Sequence, residues 1–343
     1  MTGEAAEPAA RVHRTRAAAA ALALVLVGAT AACTPSGKED VTDRRPVLHA
    51  VDGSRYGVPD RLFAAESPWN TPIERDAVVD PDSDRIVTKV LNAPELLVNL
   101  DLISFGQPFF TADASTPRVV LGGRNPIGAI PIDPSWAPNP GADAKMNVID
   151  PTTHSVYELQ GYDRKTKTVY WVVRRDYRTS LADGYPEDGL AGPTGSGMSQ
   201  AAGTIRAADL EAGTIDHALS FISSEPVRGF RYPASHSDGT GSGIGIQEGM
   251  RVQLDPSIDV DAIKGMSRGE RMIARALQRY GAFCTDTGRR NNQAMGFYVE
   301  RPTPSTQHAY DAAGLTKDWQ VLDKLPRGSL RVLGPSATPR PGE

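Results

Sequence analysis

The chain has 343 residues, 40% hydrophobic and 23% charged, with a formal net charge of −4. This composition is ordinary for a globular protein and carries no basic footprint for nucleic acid. With only two cysteines, Cys33 and Cys284, a disulfide-dense scaffold is excluded, so the fold must rest on a hydrophobic core, which a chain of this length can bury.

The first element is a leader. Arg11, His13, Arg14 and Arg16 precede an apolar run from Ala17 to Ala32, and small residues stand before Cys33. A basic stretch, an apolar stretch and a small-residue cut site predict a secretory signal peptide over residues 1–32. The run falls short of the about 20 apolar residues that span a bilayer comfortably. Thr30-Ala31-Ala32-Cys33 resembles the bacterial lipobox, with Thr30 where an aliphatic residue is usual. That resemblance implies a lipoprotein whose acylated Cys33 holds it at the outer face of the cytoplasmic membrane. Plain secretion, with cleavage after Ala31 or Ala32, is the alternative. Residues 33–60 then read as the lipidated Cys33 and a polar spacer, residues 61–335 as a single globular domain, and residues 336–343 as a Pro-containing disordered tail.

Within the domain the pattern predicts mostly strands. Asp82-Ser83 caps a short helix that places Ile86, Val87, Val90 and Leu91 on one face. Strands are expected at Arg118–Leu121, Lys145–Asp150, Ser155–Tyr162 and Thr168–Arg178, with turn-forming connections at 151–154 and 163–167. A helix is expected over Ala207–Ser223, broken at Gly213, with Leu210, Ile215, Ala218, Leu219 and Ile222 as its buried stripe. Arg251–Pro256 reads as a strand. Ser267-Arg268-Gly269-Glu270 is a capping box, followed by Met272, Ile273, Ala276, Leu277 and Tyr280 at helical spacing and by Gly281 as a stop. Ala282–Asp286 and Met295–Glu300 are expected to form a hairpin. Strand runs with few helices point to a β-rich α+β fold, an antiparallel β-sandwich or jelly-roll-like core with packed helices.

No GxSxG, HExxH, Walker loop or zinc-spaced Cys/His set is present, and no cofactor motif. Gly241–Gly245 is glycine-rich but lacks the flanking strand and helix of a phosphate cradle. Cys284, in AFCTD, reads as a buried structural thiol. Asp143 and Glu158 are the carboxyl groups best placed for acid–base work, since a charge inside a strand is costly unless paired or facing water and a paired couple is what glycosidases use. The competing reading of Glu158 is an outward-facing strand carboxylate. His217 is either a candidate catalytic group or a buried histidine bonded to backbone. Asp238 and His236, in SHSDG, are candidates for sugar hydroxyls or, as oxygen ligands with Ser237, for Ca2+; an Asx-type turn is the plainer reading.

Several segments together resemble an uncharacterised family of secreted actinobacterial proteins. They are Ser67-Pro-Trp-Asn-Thr-Pro-Ile73, Gly203-Thr-Ile-Arg206 with Ile215-Asp-His-Ala-Leu219, Tyr232-Pro-Ala-Ser-His-Ser-Asp-Gly239 and Leu277-Gln-Arg-Tyr-Gly-Ala-Phe283. The likeness covers about residues 62–300 and implies one continuous domain. It singles out Asp143, Glu158, Arg206, His217 and Asp238. It also marks Lys145, which stands where the pattern has His in Asp-x-His-Met. Arg206 could orient an anionic group, and Tyr232 could partner His217. The resulting expectation is a lipid-anchored enzyme acting on a cell-wall or extracellular polysaccharide, as a hydrolase or lyase. The alternative is a non-catalytic module that binds a glycan or an envelope protein.

Overall fold

The computed structural model describes residues 61–124, 127–178, 192–288 and 292–335. The leader, Cys33, the spacer and the 336–343 tail lie outside the described residues. In chain order, α1 (Ser83–Ile86) runs into a π-helical turn, Val87–Leu91, and then β1 (Leu97–Asp101), β2 (Phe109–Thr111), β3 (Arg118–Val120), β4 (Gly122–Gly123), β5 (Ala129–Pro131), β6 (Met146–Asp150), β7 (Ser155–Gln160), β8 (Thr168–Val169) and β9 (Trp171–Asp176) follow. After α2 (Ala207–Ala212) come β10 (Leu219–Ser223), β11 (Arg251–Leu254), α3 (Arg268–Arg279), β12 (Ala282–Thr287), β13 (Gln293–Phe297), α4 (Gln307–Ala313), β14 (Trp319–Val321) and β15 (Leu330–Val332). The protein is therefore β-rich α+β.

The strands form a seven-stranded sheet, ordered β14-β1-β13-β10-β12-β11-β15, and a four-stranded sheet, ordered β2-β6-β7-β9, with two small two-stranded pairs. Pairing is mixed. β1 with β13, β10 with β12 and β2 with β6 are parallel, which corrects the expectation of a wholly antiparallel core. β6 pairs antiparallel with β7, as their short turn-forming connection requires, and β7 pairs antiparallel with β9, the expected strand from Thr168 being split into β8, which pairs with β4, and β9.

Two further expectations are corrected. The helix starting at Ala207 ends at Ala212, where Gly213 turns left-handed at φ 80° and donates its N–H to the Asp209 carbonyl at 2.9 Å. Leu219–Ser223 is then a strand inside the large sheet. Short apolar runs fit either period, and pairing with neighbours on both sides decides for strand here. The hairpin expected around residues 287–293 is absent as well. β12 and β13 are separated by β10, which runs parallel to the first and antiparallel to the second.

The helix α3 forms as its sequence dictates. The Ser267 hydroxyl accepts from the Glu270 N–H at 3.1 Å, and the Glu270 carboxylate accepts from the Ser267 N–H at 2.8 Å. Its face of Met272, Ile273, Ala276 and Leu277 is buried, each large side chain contributing roughly 1.5–3 kcal/mol. A second cluster holds Trp69, fully buried and edge-on to Phe283 at 5.3 Å, together with Ile149 and Val156 of the four-stranded sheet. Cys284 is buried and unpaired, and burial pushes its thiol well up, so it is a packing residue.

Candidate active site

A cleft of about 390 Å3 lies where the start of β6 approaches the ends of β12 and β13. Lys145 is its centre. Its ammonium donates to Asp286 Oδ2 at 2.9 Å and to the Tyr298 hydroxyl at 3.1 Å, and Asp143 Oδ2 is 3.7 Å away. Burial works against the charge on Lys145, but Asp286, Tyr298 and Asp143 outweigh it and hold its pKa above the ordinary lysine value. Tyr298 in turn donates to Asp286 Oδ2 at 2.9 Å, and burial next to Asp286 pushes its hydroxyl well up, so it remains a donor.

Asp286 reaches the cleft through a bulge. β12 pairs with β10 as Phe221 with Cys284 and then Ile222 with Asp286, leaving Thr285 as the extra residue. Such bulges re-aim side chains beside functional sites. Asp238 joins from its loop. Its backbone N–H donates to Glu248 Oε2 at 3.1 Å, and Glu248 is fully buried with Oε1 unpartnered. Burial, with Asp286 and Asp238 nearby, pushes Glu248 up to about 8. Gly195 makes room for this arrangement: a Cβ there would come within 2.4 Å of Asp238 Oδ1 and 2.7 Å of Glu248 Oε1.

Asp238, Glu248 and Asp286 have carboxyl oxygens within 4.8 Å of one another and so form an acidic cluster that could hold a metal ion. The fit is poor. Asp286 Oδ1 already accepts the N–H groups of Gly195 and Thr287, at 3.0 and 2.9 Å, and Oδ2 accepts from Lys145 and Tyr298. Two carboxyls are then left for Ca2+, which takes 6–8 oxygen ligands. Burial favours the protonated form of Glu248, which also weakens it as a cation ligand.

The remaining candidates lie elsewhere. Glu158 has no solvent exposure. It accepts from Arg175 Nε at 3.0 Å, from the Ala201 N–H at 3.2 Å and from the Ser199 hydroxyl. It is neither an outward strand carboxylate nor a cleft acid, but half of a buried ion pair. His217 is bonded through Nδ1 to the Ala218 carbonyl at 2.8 Å and through Nε2 to Asp209 at 3.4 Å. Burial works against the Asp209 charge, but the hydrogen bond and charge of His217 hold its carboxyl below the ordinary range. Arg206 and His217 share a cavity of only about 10 Å3. His236 is bonded to the Ser235 hydroxyl at 3.0 Å, and burial lowers its pKa. Neither His236 nor Tyr232 lines the cleft. A second hollow of about 400 Å3 is walled by the Gly241–Gly245 loop, and both of its carboxylates are paired, Asp80 with Arg231 at 2.6 Å and Asp82 with Arg85 at 2.8 Å.

Of the residues singled out in the sequence, Asp143, Lys145 and Asp238 thus meet in one cleft, whereas Glu158, His217, Arg206, His236 and Tyr232 do not. The sequence reading missed Asp286, Tyr298 and Glu248. Asp286 carried a usable signal, an acid inside an apolar strand run. No family model, curated protein or solved structure matches the chain. Among the described residues, no helix is long and apolar enough to cross a membrane.

Proposed function

We propose that the protein is a glycan-active enzyme, a hydrolase or lyase, held outside the cytoplasmic membrane by lipid on Cys33. The observation that carries the catalytic part is the meeting of Asp143 and Asp286 at one ammonium, with Asp238 lining the same cleft and Glu248, pushed up to about 8 by burial, accepting the Asp238 N–H. Neighbouring carboxyls whose environments push their pKa values apart are how glycosidases assign acid and base. In this reading Asp238 gives a proton to the glycosidic oxygen and recovers it from Glu248. Asp143, across Lys145, takes a proton from the attacking water. Lys145, Tyr298 and Asp286 hold the floor. Phe105 and Trp319, both about one-third exposed at 37% and 36%, offer rings to the apolar faces of sugars. The reading also takes the two larger sheets as facing layers of a sandwich, the Trp69–Phe283 cluster between them.

Reducing-end release from a panel of cell-wall and plant polysaccharides tests this. Turnover that vanishes in Asp238→Asn and Asp143→Asn supports it, and unchanged turnover in both sinks the site. A second reading, a non-catalytic glycan-binding module, is favoured by one feature: the Lys145–Asp286–Tyr298 set is bonded inward, as a rigid binding floor would be. Tight glycan binding by the wild type without turnover on any substrate would select it. The anchor is tested separately. Cys33→Ser should move the protein from the membrane fraction to the medium.

A further inference from the structure

We propose that the cleft selects glycans carrying free ammonium groups, an amino-sugar chain, over uronate chains. This deepens the glycan reading of the same cleft and rests on it. Two independent features carry it. The first is charge. Asp101, Asp143, Asp238 and Asp286 line the cleft, and no arginine does among the described residues. Lys145, the one cation among the described residues that line it, is buried and committed to Asp286 and Tyr298, so it has little left for an incoming carboxylate. Arg206, the residue the sequence offered for that role, lines the small cavity beside His217 and not this cleft.

The second feature is the polarity of the unfilled hydrogen bonds. Gln107 and Gln293 line the cleft, are buried to 1% and 3% exposure, and each has an Oε1 with no partner. Their amide nitrogens are already used, by the Phe105 carbonyl at 3.4 Å and by Asn99 Oδ1 at 2.8 Å. Buried acceptors without donors are costly, and an occupant that supplies donors relieves that cost. Hydroxyl and ammonium groups are donors; a uronate carboxylate is another acceptor, entering an already negative site. The rim rings of Trp319 and Phe105 add cation–π attraction for an ammonium.

The test is calorimetric binding of three oligosaccharides to the full chain at about pH 6: glucosamine, N-acetylglucosamine and galacturonate oligomers. The expected result is that the glucosamine oligomer binds at least about tenfold more tightly than either other chain. The preference should shrink when salt rises from about 50 to about 300 mM. Asp143→Asn combined with Asp238→Asn should reduce it to within about threefold while the melting temperature holds. Equal or tighter binding of either the galacturonate or the N-acetylglucosamine oligomer overturns the inference and leaves the glycan reading standing. Binding of none of the three, with no turnover on any polysaccharide, sinks both.

Discussion

The cleft around Lys145 and the cluster around His217 are built from the same kinds of groups, yet they meet solvent differently. In the cleft, Asp143 is 42% exposed in its side chain and buried amide oxygens lack partners beside a volume of about 390 Å3. Around His217, both ring nitrogens are bonded and the adjoining space is about 10 Å3. Asp209 there accepts the Arg206 N–H at 2.8 Å as part of the cap of α2. The difference teaches that a polar residue type does not make a site. What distinguishes the cleft is hydrogen-bonding capacity left unfilled next to room for a ligand.

The largest effects should fall on the cleft. Asp143→Asn and Asp238→Asn should each lower turnover by about 10²–10⁴-fold, the usual worth of a general acid or base, with little change in melting temperature because both side chains reach solvent. Measuring reducing ends for these variants beside His217→Ala sets the two regions directly against each other. The comparison breaks if His217→Ala loses as much turnover as Asp238→Asn.

Glu158→Gln probes the opposite behaviour, a buried charge with every role internal. It strands the Arg175 guanidinium, whose Nε and NH2 donate at 3.0 Å to Glu158 and to the Gly197 carbonyl. Removing one partner of a buried pair costs about 3–5 kcal/mol. Urea denaturation should record that loss, while turnover per folded molecule stays at the wild-type value. A stable but inactive Glu158→Gln protein would move Glu158 into the catalytic machinery.

Much of the local structure was legible. The α3 capping box and the turns that lead from β6 to β7 and on to β9 follow from short-range chemistry that any fold must obey, whereas α1 starts at Ser83 without the side-chain cap expected from Asp82. The mixed sheet was not legible, because β10 lies between β12 and β13 through contacts far apart in sequence, and LSFIS suits a helix stripe as well as a strand. The site was half legible for the same reason. Asp143 and Lys145 are sequence neighbours and were singled out together. Tyr298 and Asp286 join them only across the sheet, and Glu248 is defined by what buries it. An acid within a strand needs a reason at Asp286 in AFCTDT as much as at Glu158, and a bulge supplies it.

Glu248 gives an effect with a definite sign. Burial raises its folded-state pKa from the ordinary 4.5 to about 8, so the folded protein binds a proton that the unfolded chain has released between those values. Its contribution is complete below about pH 4.5 and is lost as pH rises through about 8. Glu248→Gln keeps the shape and removes the titration. The variant should match the wild type near pH 5 and exceed its stability at about pH 8.5, by on the order of 4 kcal/mol, in pH-resolved urea denaturation. A wild-type stability profile parallel to the variant's across that window would show that Glu248 carries no such proton, and Asp238 would lose its proton source.

His217→Ala carries the smallest expected effect and is the most discriminating check on the contrast. The imidazole fixes the Ala218 carbonyl and leans on Asp209, whose carboxylate keeps the Arg206 N–H when the ring is gone. One hydrogen bond to backbone is worth about 1 kcal/mol, so a loss of that size in urea denaturation is expected, with turnover and its pH profile unchanged. His217→Asn, whose amide can still reach the Ala218 carbonyl, should recover part of the loss. If instead the alanine variant shifts the pH profile of turnover and asparagine fails to restore it, the imidazole is titrating in the reaction. His217 would then be coupled to the cleft despite the sealed space around it, and solvent access would no longer separate the two regions.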